Sequence, residues 1–412
     1  MAVQKVQLRV KAYHEEDIEI SFPANWEVIE CRMAGHNKPA LTDEQMRAAM
    51  RNPIGSPRLS ELAKGKSRVV ILFDDTPKPT PTDRIAPFVL EELHAGGITD
   101  DQIRFLCAPG THRPLGTPEL VAKLGGDIVA RYPVYNHNNW ENLVHVGNTS
   151  RGTPVHVNRE FMSCDLRVAI GSIIPHQSAG YGAGGKIILP GISGMDTVVY
   201  HHNTLRKEPY VAGVGVGKIE GNAFRLDLEE AARLAGLQFK VDAVLNNRRE
   251  VAGLFAGDFV EEHRVGVKLA KEVYHTRLVG DADVLVSNSY PDEHQFNRAV
   301  WITPQCLKEG GDLVIICQSD EGQVLHQFSG RFGTDFGGRG YVPGSRAKAL
   351  AKAGRIIIMT PFLSMLDRME WGGDRVVRCE DWGEVMAVLA ERHGAGTRAV
   401  VYPCTPLQLE VK

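Results

Sequence analysis

The chain has 412 residues, of which 43% are apolar and 24% charged, with a formal net charge of −3. That is more chain than one hydrophobic core usually serves, so two domains are expected. The balance of 47 basic against 50 acidic residues argues against a nucleic-acid binder, which would carry a basic excess, and no apolar run approaches the roughly 20 residues that span a bilayer.

The N-terminal stretch VQLRVKAY and then IEISFP reads as a β-hairpin around HEED. Its charges and alternation leave no room for the apolar h-region of a secretory signal, so a cytoplasmic location is expected. TDEQMRAAMRNP reads as a short helix, with Thr42 as N-cap and Pro53 beyond its end. The strand SRVVILFDD, the helix DRIAPFVLEELHAGG, the strand IRFLCAPG, the helix TPELVAKLGG and the strand LRVAIGSIIP follow. After the amphipathic helix DFVEEHRVGVKLAKEVYH a second series begins. Its strands are DVLVSNSYP, DLVIICQS, RIIIMTP and RAVVYPCTP; its helices are His294 to Lys308 and WGEVMAVLAERHG. Strand–helix alternation of this kind predicts an α/β fold of two domains, each an open, mostly parallel sheet flanked by helices. The boundary is expected between Thr276 and Gly280, giving domains 1–278 and 279–412, with ligands beyond the carboxyl ends of the strands and a cleft between the domains. The seven cysteines are scattered and form no CxxC pair, which excludes a zinc ribbon or a disulfide framework.

Four polar segments fall at strand ends or glycine turns: FDDTPKPTPTD, APGTHRPLG, IIPHQSAGYGAGGKIILPG and VVYHHN. Each read alone is a surface loop; together they collect titratable groups where an α/β sheet places its site. Glycines 180, 182, 184 and 185 allow positive φ and close backbone approach, and their amides could cradle a phosphate. The segment is neither a Walker A motif, since Ile187 follows the lysine, nor a GxGxxG after a first strand. Lys186 beside the apolar IILPG is a candidate nucleophilic amine or a phosphate contact. His112 and His176, each just past a strand, are candidates for an acid–base pair. His14, His94, His263 and His393 are expected on hairpin or helical surfaces. His201 and His202 are adjacent, so in an extended segment only one would face a site, as a candidate metal ligand.

These segments resemble the nickel-dependent lactate racemase family over nearly the whole chain. The most specific parts are GTHRP, HQSAGYGAGGKIILPG with its lysine ten residues after the histidine, and the histidine after VVY. The resemblance implies a nickel pincer nucleotide, a pyridinium mononucleotide with sulfur arms. Lys186 would tether it through a thioamide, His202 would ligate the nickel, and Asp75, Gly182, Gly184 and Gly185 would complete the cofactor site. It further implies His112 and His176 as acid and base in a hydride-transfer racemisation or epimerisation of a 2-hydroxy acid. Residues 1–278 would hold the cofactor, 279–412 would cap the substrate, and other proteins would make the cofactor. Two positions depart from the family pattern in the first loop, Pro77 for threonine and Lys78 for arginine. Two more depart in YPDEHQFNRAVW, Arg298 for glutamine and Trp301 for lysine. Lys78, Arg298 and Trp301 are therefore the expected substrate-side residues, pointing to lactate or a somewhat longer monocarboxylic 2-hydroxy acid. A nicotinamide-type dehydrogenase and a non-enzymatic nucleotide-binding protein are the alternative readings.

Overall fold

The computed structural model describes residues 3–14, 16–324, 326–327 and 350–411. The described residues fall into two compact units. One comprises those of Asn37–Val273 and Leu325–Gly340; the other comprises those of Met1–His36, Tyr274–Val324 and Tyr341–Lys412.

The larger unit is built on a six-stranded sheet. Its order is Val251–Gly257, Phe239–Leu245, Leu166–Ser172, Val69–Asp74, Ile103–Ala108, Val134–Asn136. All neighbours run parallel except the antiparallel edge strand Val251–Gly257. Side chains of the central strand alternate between two cores: Val69, Ile71 and Phe73 enter one, Val70 and Leu72 the other. Both faces are covered, which is why this strand reads as an unbroken apolar run. The strand order reverses between Val69–Asp74 and Leu166–Ser172, the crevice where doubly wound sheets bind ligands.

The second unit carries six parallel strands in the order Val376–Cys379, Arg355–Met359, Leu307–Ile316, Ala282–Asn288, Arg398–Tyr402, Glu27–Glu30. Here the structure departs from the expected 1–278 domain. Glu27–Glu30 pairs with Arg398–Tyr402, and Phe22 and Trp26 pack with Val284, Val286 and Ile316. The N-terminal hairpin thus belongs with the C-terminal half, because a ladder partner some 370 residues away, not chain order, completes its sheet. The expected helix from His294 to Lys308 is also two short turns, Phe296–Val300 and Thr303–Cys306, before the strand Leu307–Ile316. Pro304 has no N–H to continue a helix from the preceding turn.

Elsewhere local chemistry decided the elements as expected. Thr42 caps Asp43–Arg51, its hydroxyl accepting from the Gln45 N–H and the Gln45 side chain accepting from the Thr42 N–H. All seven cysteines are buried and free. Among the described residues no helix is long and apolar enough to cross a membrane.

Candidate active site

Three segments leave neighbouring strand ends of the larger unit: the loop after Asp74, the turn after Ala108 and the segment after Ser172. They deliver Asp75, His112 and His176. The parent strands of the two histidines flank Val69–Asp74, so they start roughly 10 Å apart, two strand spacings.

His112 Nδ1 lies 2.6 Å from Asp75 Oδ2, with the two side chains 10% and 3% exposed. The carboxylate accepts the Nδ1 proton, so the neutral ring presents Nε2 as a base. Burial alone would raise the Asp75 carboxyl, but His112, most strongly in its protonated form, and then the charges of Lys78 and Lys123 outweigh it and hold the group below the usual carboxylate range. Asp75, through Oδ2, is therefore an orienting partner of His112. Its neighbour Asp74 anchors the loop. Thr80 Oγ1 donates to Asp74 Oδ2 at 2.5 Å. The fully buried Lys123 lies 2.6 Å from Asp74 Oδ1 and donates to the Lys78 carbonyl at 2.8 Å. Lys78 is half-buried at the end of this turn.

His176 has the opposite arrangement. Its Nδ1 accepts the N–H groups of Ser178 (3.1 Å) and Ala179 (3.0 Å). The neutral ring therefore carries its proton on Nε2 and presents an acid.

The glycine segment follows as a short strand, Gly180–Tyr181, and a 3-10 turn, Gly184–Ile187. Arg225, fully buried at the start of the helix Ala223–Ala235, holds it. The guanidinium donates to the carbonyls of Ala179, Tyr181, Gly182 and Ala183. Burial lowers its pKa to about 10, leaving it cationic at neutral pH. Asn222 caps the same helix and donates to the Ser178 carbonyl at 2.8 Å. One helix start thus supports both the His176 turn and the approach to Lys186.

Two amides of the expected phosphate cradle are bonded within the protein. The amide of Gly182 donates to Ile174 O at 2.7 Å and that of Gly184 to Asp242 Oδ2 at 2.8 Å. The glycines also serve packing. A Cβ on Gly185 would lie 3.1 Å from Ala232 Cβ, and one on Gly184, at φ +57°, 3.0 Å from Phe259 O. His263, expected on a surface, is fully buried, and its Nε2 donates to Gly182 O at 2.7 Å.

The neighbouring Glu262 is also fully buried, with the Asp242 carboxylate beside its own carboxyl. Burial, then the nearby Asp242, pushes its pKa well up. A carboxyl whose pKa rises on folding contributes full stability below its unfolded value and loses it as pH rises toward the folded value. Glu262→Gln, a neutral mimic of the acid, is accordingly expected to stabilise the protein by about 1–3 kcal/mol at pH 8. At pH 4 it should change little. Denaturant unfolding at both pH values checks the sign.

The VVYHHN segment is helical, within Met195–Thr204, not extended. His201 is fully buried and its Nε2 donates to Phe224 O at 3.1 Å; burial lowers its pKa to about 3. His202 donates Nδ1–H to Val198 O at 3.1 Å, which places the Nε2 lone pair at the ligating position. Burial, then the charges of His201, Arg206, Lys186 and His326, lowers its pKa well below the ordinary histidine value, so the ring is neutral at physiological pH, as a metal ligand must be. Lys186 is near enough to act on both rings. Among the described residues no group of three or more His, Cys, Asp or Glu side chains could hold a metal ion.

His326 escaped the sequence reading. It forms an isolated antiparallel bridge with His112, and the ring centroids are 5.0 Å apart at 71°. It lies 215 residues from Thr111, whose hydroxyl it also contacts, and no motif surrounds it. Arg298 and Trp301 belong to the second unit. Arg298 Nε lies 2.8 Å from the buried Asp292, so its charge is already matched. Trp301 Nε1 donates to Thr405 O at 3.1 Å while the ring packs on that unit's core.

Residues 13–213 match the lactate racemase N-terminal domain. The chain is 32% identical to the lactate racemase of Lactiplantibacillus plantarum, across 70% of this chain and 68% of that protein. It is 30% identical to the lactate racemase of Thermoanaerobacterium thermosaccharolyticum, across 70% and 69%. The fold superposes on the lactate racemase apoprotein from the latter organism with a TM-score of 0.74, at 22% identity, covering 99% of this chain and all of that one. The chain belongs to the lactate racemase family.

Proposed function

We propose that the protein inverts the configuration at C2 of a monocarboxylic 2-hydroxy acid. The opposed protonation of the two buried imidazoles supports this reading most directly: Nε2 is a base on His112 and an acid on His176. Inversion by hydride transfer requires the C2 oxygen to lose a proton and later regain one, and two histidines fixed in opposite tautomers meet that need. His112 takes the C2-hydroxyl proton of one enantiomer. His176 returns a proton to the oxygen as the other configuration forms, and the reverse reaction exchanges the roles. Lys78 is the cation for the substrate carboxylate, held in place through its own carbonyl by Lys123. A charge-assisted hydrogen bond of this kind contributes about 1.5–3 kcal/mol.

We assign the cofactor to a nickel pincer nucleotide, with Lys186 as its covalent anchor and the Nε2 of His202 as the protein's nickel donor. A neutral, buried imidazole and a nearby half-buried amine suit a group that brings its own sulfur donors. When bound, that group supplies the acceptor and donor for the substrate's α-hydride.

The matched charge of Arg298 argues against a second substrate carboxylate. With reconstituted enzyme, lactate, 2-hydroxybutyrate and phenyllactate are expected to racemise faster than malate or gluconate by chiral chromatography. A clear preference for malate would overturn the monocarboxylate assignment.

A further inference from the structure

One hydrogen bond is a loose constraint on an imidazole. The second torsion of histidine is broad, and an N–H···O contact tolerates tens of degrees of misalignment. Asp75 fixes where His112 Nδ1 points, but by itself it leaves the ring plane free to rock. That plane decides where Nε2, the proton-transfer atom, is aimed.

The structure supplies a second constraint. His326 meets the His112 ring at 71° with centroids 5.0 Å apart, an edge-to-face arrangement of the kind aromatic pairs prefer. The backbone fastens it there. His326 bridges to His112, and Gln327 N–H donates to the Thr111 carbonyl at 2.8 Å. The Gln327 side chain accepts from Trp140 Nε1 at 3.1 Å, and the Thr111 hydroxyl lies 3.2 Å from both ring nitrogens of His326.

We propose that His326 is a positioning residue for His112: with Asp75 holding Nδ1 and His326 set edge-to-face against the ring, the imidazole is locked with Nε2 aimed at the substrate hydroxyl. The inference rests on the acid–base reading of His112. Because the contact is one of shape, an aromatic ring without nitrogens serves in its place.

Three holoenzyme variants and one probe of the apoprotein test it. His326→Ala is expected to lower kcat about 10- to 100-fold, the scale of a small misplacement of a reacting group, with KM little changed. His326→Phe should recover most of kcat. In the apoprotein, diethyl pyrocarbonate should carbethoxylate His112 faster in His326→Ala than in the wild type or His326→Phe, followed by peptide mass spectrometry. Wild-type kcat and labelling in His326→Ala would overturn the proposal. So would a His326→Phe enzyme as impaired as the alanine variant while melting like the wild type, since a nitrogen would then be required. His112→Ala separates the two layers. If it keeps full activity, the acid–base reading itself fails. If it is inactive while His326→Ala is unaffected, only the positioning role falls.

Discussion

Lys186→Ala is expected to yield a folded protein with no covalent cofactor and no racemase activity above background. The side chain is half-buried at the end of a 3-10 turn. Its backbone contacts, the amide to Ala183 O and the carbonyl from Gly191 N–H, do not depend on the side chain. The turn is therefore expected to keep its fold in the variant, which circular dichroism checks. Activity should fall to background because the amine is the only part of the turn that can form a covalent bond. Lys186→Arg sharpens the test. It keeps a cation near His201 and His202, so a merely electrostatic role would survive it. A tether would not, because a guanidinium is a poor nucleophile at neutral pH. Intact-mass spectrometry with metal analysis reads both variants, and a cofactor adduct on Lys186→Ala would remove Lys186 from its assigned role.

Much of the architecture was legible because it is written in local chemistry. The apolar strand runs and the Thr42 N-cap each act over a few residues, and the structure follows them. His112, His176 and Lys186 were also legible, since polar residues just past parallel strands are where such a sheet gathers its ligands. What escaped depends on partners far away in sequence. The N-terminal hairpin reads as part of the first domain until its last strand is seen on Arg398–Tyr402. Arg225 has no local signature, and His263 lies on a helix whose charged residues read as solvated surface. They are buried because the glycine segment presents a row of carbonyls that needs donors. His326 has no local signature, since its significance lies wholly in the ring it touches.

In the glycine segment, close approach brings protein groups to the backbone. GYGAGGK invites a phosphate-cradle reading because glycine permits close approach. In the structure the approaching groups are protein: Ala232, Leu228 O and Phe259 O crowd the glycine α-carbons, and Asp242 takes an amide. Its rigidity matters more for where Lys186 emerges than for anything its amides could bind.

His112→Ala should lower kcat by about 10²–10⁴-fold, the range typical for loss of a general acid or base. Asp75→Asn should fall between the wild type and that variant. Asparagine can still accept the Nδ1–H, so the ring stays oriented, but the imidazolium formed when His112 takes the proton loses its counter-charge 2.6 Å away. The two side chains act as one unit, so their effects should not multiply. The double variant His112→Ala, Asp75→Asn is expected to be no slower than His112→Ala alone, as for residues that share a single step. A multiplicative loss would mean that Asp75 has a role independent of His112, such as holding the cofactor. Stability gives a second check with a definite sign. A carboxyl held below its usual range in the folded state contributes stability above its unfolded pKa and loses it as pH falls through the folded value. Asp75→Asn should therefore destabilise the protein at pH 7 and have a much smaller effect near pH 3. An equal loss at both pH values would show that the ion pair with His112 is not what holds Asp75 in place.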